Sequence, residues 1–214
     1  MDNFDDMTLP EYKEAFIKLY KENIKREGAD KLLAFLLDES KSDFFTAPAS
    51  TRFHLNEEGG LLMHSLHVAE VMMDFSTEKW PEDERESKES CAICGLLHDI
   101  CKTNFYKKSL RNQKNEKTGQ WEKVPFYQIE DSFPYGHGEK SVYMIERFFK
   151  LTGDEAIAIR WHMGGFDDAA RGGSFAISQA YSRYPLAVKL HISDFYASHI
   201  IETKQERAER KLRG

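Results

Sequence analysis

The chain places ionisable residues where a fold normally keeps water out. His64, the adjacent pair His98-Asp99, His137, His162 and Asp194 lie for the most part within or at the edge of apolar helical segments. Burying an imidazole or a carboxylate without a partner is costly, so a chain built this way must bring these groups to one another or to a shared ligand. For any single histidine the ordinary outcome is a hydrogen bond in the core. The six together point elsewhere. Four imidazoles and two carboxylates match the donors that borderline transition ions, Mg²⁺ or Mn²⁺ take, and they exceed the ligands of one structural zinc. Two adjacent divalent ions is the count this set suggests.

Helix geometry accounts for the doublet. Consecutive helical residues point about 100° apart, so the imidazole of His98 can ligate one ion while Asp99, with two oxygens, bridges to a second. Lys102 follows His98 by four residues and Asp99 by three, on the same side of the helix. Two roles fit that spacing equally: a contact to a phosphate oxygen on the metals, or a cation that suits the C-terminal end of the helix dipole.

At 214 residues, 41% apolar and 31% charged, the chain suits one compact domain with a small appendage. This composition excludes a disordered tail, a collagen-like fibre and a flexible linker protein. The longest apolar runs fall far short of the roughly 20 residues a membrane span needs. The acidic start Met1-Asp-Asn-Phe-Asp-Asp lacks the order of a signal peptide, so the expected address is the cytoplasm, with no membrane partner. Cys91, Cys94 and Cys101 are expected to be reduced thiols. Net charge is −6, yet between Lys102 and Lys123 seven basic residues stand against Glu116 and Glu122, giving that segment +5 and the rest −11. Such asymmetry suits an anionic ligand, although a solvated basic loop is the commoner meaning of a charge run.

Thr8-Leu9-Pro10-Glu11 reads as a capping box opening a helix through Tyr12, Phe16, Leu19, Tyr20 and Ile24, ended by Gly28, with a second helix over Asp30 to Asp38. A loop over 40–60 precedes a buried helix from Leu61 to Phe75, and Trp80-Pro81 with three acids predicts a helix running to about Lys102. Phe105-Tyr106 and Trp121 to Ile129, around the turn Asn115 to Gly119, predict a β-hairpin. Helices follow over Glu139 to Leu151, Asp154 to Met163 and Pro185 to Glu202, with Gly164 to Gly173 a long loop.

In chain order, Gly59-Gly-Leu-Leu-Met-His64-Ser-Leu-His-Val-Ala69, Gly95-Leu-Leu-His98-Asp99-Ile-Cys-Lys102, Gly136-His137-Gly, Trp161-His162 and Asp194 form the series H…HD…H…H…D. Over roughly residues 44–202 this series resembles the HD-domain metal-dependent phosphohydrolases. Phe44-Phe-Thr-Ala-Pro48 and Phe53-His54 are most similar to the catalytic domain of the HD-domain 3′-to-5′ exoribonucleases, and the HDxxK element is similar to that of the HD-GYP cyclic-dinucleotide phosphodiesterases. The resemblance implies an all-α (mostly) helical bundle over 44–202, to which the local sequence pattern adds a small β-hairpin insertion near 103–130, an N-terminal helical extension over 1–43 and a charged tail over 203–214. It implies two divalent metal ions, Mn²⁺, Fe²⁺ or Mg²⁺, with His64, His98, Asp99 and Asp194 on one and Asp99, His137 and His162 on the other. A hydroxide bridging the ions would hydrolyse a phosphoester of a small molecule, a nucleotide or a nucleic acid, with His98, Asp99 and Lys102 in the catalytic set. Two alternatives stand beside this: a 3′-to-5′ exonuclease on single-stranded RNA or DNA, and a metal-dependent nucleotide sensor without turnover.

Around this set, His67 and His54 are candidates to support a ligand or touch substrate. Lys140, with Glu139 and Ser141, stands where a helix start can bind phosphate, and a simple cap explains the same residues. His191 is expected to hydrogen-bond, Arg160 to form a surface ion pair, and Cys91 and Cys94 to pack in the core. Lys107, Lys108, Arg111, Lys114 and Lys117, with Phe105, Tyr106 and Trp121, could stack on and neutralise a nucleotide or a short single strand, although a bland basic loop ranks ahead of that role.

Overall fold

A computed structural model describes residues 7–51, 55–115 and 118–203. His54 and Lys117, and nearly all of the charged tail, lie outside the described residues.

Helix α1 (Leu9–Asn23) opens on the expected capping box, the Thr8 N–H donating to Glu11 Oε2 at 2.6 Å, and buries Tyr12, Phe16 and Tyr20. Gly28 does not end this helix. It caps the start of α2 (Ala29–Leu37) in the left-handed region at φ 93°. Helix α3 (Gly60–Asp74) is buried along most of its length, as its apolar run requires.

The single helix expected from Trp80 to Lys102 is broken. Glu82–Glu84 forms a 3₁₀ turn with no buried residue, so nothing apolar holds it onto the body. Ser87 then starts α4 (Lys88–Leu97) by accepting from the Ser90 N–H at 3.0 Å, and a second 3₁₀ turn covers Ile100–Lys102. The hairpin forms as β1 (Tyr106–Lys114) and β2 (Trp121–Ile129), antiparallel with Tyr106 opposite Ile129 and Lys114 opposite Trp121.

Helix α5 (His137–Glu146) starts at the histidine itself, and α6 (Gly153–Trp161) carries a capping box from Thr152 to Glu155. The stretch expected as a loop contains a 3₁₀ turn (Gly164–Phe166) and α7 (Asp168–Arg171), because Asp167 accepts from the Ala169 and Ala170 N–H groups. Helix α8 (Ala176–Arg183) was not expected; only Ala180 of it is buried. Helix α9 (Pro185–Tyr196) passes into a π-helical segment, Ala197–Ile201.

One apolar core joins Phe16 and Tyr20 of α1, Leu32 and Leu36 of α2, Leu61 and Leu62 of α3, Ile93 and Leu97 of α4 and Leu190 of α9. The N-terminal helices are therefore part of the same packed body. Arg26 locks them to α6 by two 2.6 Å contacts with the fully buried carboxylate of Glu155. Among the described residues no helix is long and apolar enough to cross a membrane.

Candidate metal centre

The site lies where α3, the end of α4, the start of α5, the end of α6 and the middle of α9 converge. Two glycines permit the approach. A Cβ on Gly95 would meet Ala69 Cα at 2.3 Å, so α4 packs directly on α3 and faces His98 toward His64; a Cβ on Gly138 would meet Arg160 O at 2.3 Å, so α5 lies against α6 and His137 reaches His162. The four imidazoles form a row, with ring centroids 5.2 Å apart from His64 to His98, 4.9 Å from His98 to His162 and 5.1 Å from His162 to His137.

His98 and His162 use one local device twice. Each is the C-cap of its helix, and each donates Nδ1–H to the carbonyl three residues back, Gly95 O at 3.0 Å and Ile159 O at 2.7 Å. A carbonyl only accepts, so the proton is on Nδ1 and the lone pair of Nε2 faces the centre. His64 is oriented alike, with Nδ1 2.9 Å from the Glu202 carboxylate.

Asp99 occupies the hinge between α4 and the following 3₁₀ turn, at φ −103° and ψ 15°, and its two oxygens part company. Oδ2 lies 3.6 Å from both His64 Nε2 and His98 Nε2, whereas Oδ1 lies 2.8 Å from His137 Nε2 and 3.4 Å from His162 Nε2. Asp194 brings Oδ1 to 3.3 Å from His64 Nε2. The groups His64-His98-Asp99, His98-His162-Asp194 and Asp99-Cys101-His137 each gather ligand atoms within 4.8 Å.

The residues present fit a divalent cation. His64 Nε2 and His98 Nε2 stand 3.2 Å apart, a spacing that requires a proton or a cation between the two nitrogens. His162 Nε2 is fully buried without a hydrogen-bond partner among the described residues. The surrounding acidic groups favour positive charge at the two ends of the histidine row. Burial works against charge on His64, yet the Glu202 and Asp194 carboxylates outweigh it and raise its pKa to about 10. Burial likewise opposes charge on His137, but Cys101 and Asp99 raise it to about 10. His98 goes the other way, down to about 4, mainly through burial with His162 and His64 adding to it. Burial alone would raise Asp99, but Lys102, His98 and His137 hold its carboxyl well below the usual range.

The structure thus brings together all six sequence-derived donors. Lys102 joins them at the edge, its ammonium 2.6 Å from Asp99 Oδ2 with the side chain 15% exposed. His67 points away from the centre, with Nδ1 3.0 Å from Glu202 and Nε2 3.4 Å from the Tyr12 hydroxyl. Lys140 does not stand as a free phosphate contact: it is buried, 2.6 Å from Asp131 and over the Phe105 ring, where it ties α5 to the base of the hairpin. His191 hydrogen-bonds as expected, to His162 O at 2.7 Å. Arg160 is ion-paired to Glu139 and Asp167 but mostly buried against Trp161, which corrects the expectation of a surface pair. Cys91 and Cys94 are core residues, and burial pushes the Cys91 thiol up to about 12.

Sequence reasoning missed two neighbours of the centre. Cys101 Sγ lies 3.4 Å from His137 Nδ1, and Glu202 reaches both His64 and His67. Cys101 was visible only as one of three thiols expected to be reduced. Glu202 carried a signal, an acid directly after Ile200-Ile201, but looked like a helix end.

A helical body that converges four imidazoles and two carboxylates in this way defines a protein built around divalent metal. The chain belongs to the HD domain family, whose model matches residues 61–197 and spans all six donors. No curated protein and no solved structure matches the chain. Membership makes it one of the metal-dependent phosphohydrolases by class.

Proposed function

We propose that the protein hydrolyses a phosphoester of a small molecule or nucleotide at two divalent ions, Mn²⁺, Fe²⁺ or Mg²⁺. His64, His98, Asp99 and Asp194 would hold one ion and Asp99, His137 and His162 the other. The split of the Asp99 carboxylate carries this reading, one oxygen toward His64 and His98 and the other toward His137 and His162. When bound, the ions supply a nucleophile from water at neutral pH and charge stabilisation for the phosphoryl oxygens.

The chain's own residues orient and neutralise. The helix-end carbonyls of Gly95 and Ile159 fix the His98 and His162 rings with Nε2 inward. Lys102, beside the shared carboxylate and partly open to solvent, is the donor to a non-bridging phosphoryl oxygen. A cytoplasmic address accords with three cysteines that are buried and unpaired. Residues 1–43 are read as an extension of the metal-binding domain, and its described part, from Met7 on, shares that domain's core.

The exposed hairpin favours a second reading. Arg111 lies over Phe126 and Lys108 over Tyr127, while Trp121 is 70% exposed, a combination suited to single-stranded nucleic acid and hence to a 3′-to-5′ exonuclease. A sensor without turnover is disfavoured by the complete donor set.

The test is a screen of phosphomonoesters, nucleotides, cyclic nucleotides and labelled oligonucleotides with each ion in turn. Turnover of one class, lost on chelation and restored by metal, is the expected result, and mononucleotides released stepwise from an oligomer would select the exonuclease. No hydrolysis of any phosphoester with any of the ions would overturn the proposal.

A further inference from the structure

The π-helical segment after α9 ends on a carboxylate that the catalytic reading does not use. The Glu202 side chain is fully buried, and its Oε1 lies 2.9 Å from His64 Nδ1 and 3.0 Å from His67 Nδ1. Asp194 and Glu202 are eight residues apart, which in a regular α-helix leaves them about 80° out of line. The wider turn of Ala197–Ile201 absorbs that offset, so Asp194 reaches Nε2 of His64 while Glu202 reaches Nδ1 of the same ring. Ser198, from the same segment, donates to Asp194 Oδ1 at 3.3 Å.

We propose that Glu202 is a positioning residue for the metal ion at His64. The inference rests on the reading that His64 holds an ion. A carboxylate accepts and never donates, so it holds the His64 proton on Nδ1, leaves Nε2 as the metal-facing lone pair and makes that nitrogen a stronger donor. The second imidazole on the same oxygen, His67, fixes the carboxylate in turn, and its Nε2 extends the chain of contacts to the Tyr12 hydroxyl of α1 at 3.4 Å. Glu202 thereby links the π-helical segment after α9, the metal ligand and α1 without touching an ion.

The test titrates Mn²⁺ against a chelator for the full chain and for Glu202→Leu and Glu202→Gln. Long-range ¹H–¹⁵N NMR of the Zn²⁺-loaded proteins reports the His64 tautomer. Glu202→Leu is expected to weaken one of the two ions by about 10- to 100-fold, leave the other within about a factor of two, and lose the fixed Nδ1–H state of His64. Glu202→Gln keeps an acceptor oxygen without the charge and should fall between; it decides the matter if the leucine variant does not fold. Parental affinity for both ions with an unchanged tautomer would overturn the proposal. So would an equal weakening of both ions together with a lowered melting temperature, which would make Glu202 a support of the fold alone. A parent chain that takes up no divalent ion would instead sink the metal reading itself, and this inference with it.

Discussion

The helical body and the hairpin keep opposite kinds of company. In the body the buried carboxylates gather partners from several elements: Asp99 serves two pairs of histidines, and Glu155 receives Arg26, Ser90 and Thr152. In the hairpin the strands pair with each other and most side chains face solvent, with Lys107 on Glu130 and Lys108 on Glu58 as exposed pairs. Exposed pairs contribute about 0–1 kcal/mol, whereas breaking a buried pair costs about 3–5 kcal/mol. Chemistry needing fixed geometry therefore belongs to the body. The hairpin can select what approaches, and its residues can change without loss of the centre.

Asp99→Ala breaks the comparison at its strongest point. On the proposed two-ion reading each ion would lose an oxygen, so turnover should fall below detection and metal content should drop, as activity assays with elemental analysis will show. Full activity or two tightly held ions in that variant would remove the bridging role.

Next in size is the tie between the N-terminal helices and α6. Arg26→Ala leaves the fully buried Glu155 without its main partner and should cost about 3–5 kcal/mol, lowering the melting temperature by about 10 °C for a chain of this size. Burial raises the Glu155 carboxyl, but Arg26, Thr152 and Ser90 outweigh it and hold its pKa below the ordinary 4.5. A lowered carboxylate contributes its stability above the unfolded value and loses it as pH falls through the folded one. Thermal melts of the parent should therefore weaken as pH drops below about 4.5, and Glu155→Gln should flatten that part of the profile. A profile unchanged by the substitution would relocate the acid sensitivity.

Lys102→Met keeps much of the side chain and removes the charge at the edge of the centre. It should lower kcat/KM by about 100- to 1000-fold, equivalent to about 2.7–4 kcal/mol, with metal content retained. Kinetics within a factor of two of the parent would leave Lys102 as the partner of Asp99 alone. The smallest effect is expected in the hairpin. Replacing Lys107, Lys108 and Arg111 by Ser should raise KM for nucleotides or oligomers and flatten its salt dependence, with kcat on a small ester unchanged. An unaltered KM across anionic substrates would reduce the strands to a solvated insertion.

The same contrast explains what could be read in advance. His64, His98, Asp99, His137, His162 and Asp194 were legible because ionisable residues in apolar helices must find partners, and the structure gathers all six. The capping box at Thr8 and the hairpin were legible from local chemistry. The break at Glu82–Ser87 was not, because Pro followed by acids opens a 3₁₀ turn as readily as a helix, and only tertiary packing decides which persists. Lys140 was misplaced because its partner, Asp131, comes from the exit of the hairpin. Glu202 escaped because the π-helical turn that aims it inward leaves no periodic trace in the sequence.

The shared carboxylate of Asp99 is tested most directly by titrating the chelator-treated protein with Mn²⁺ while following its electron paramagnetic resonance spectrum. Two ions bridged by one carboxylate, about 3.5–4 Å apart, should fill at two per chain and give a spin-coupled signal. Saturation at one ion, or two ions with the spectra of isolated Mn²⁺, would contradict the bridge.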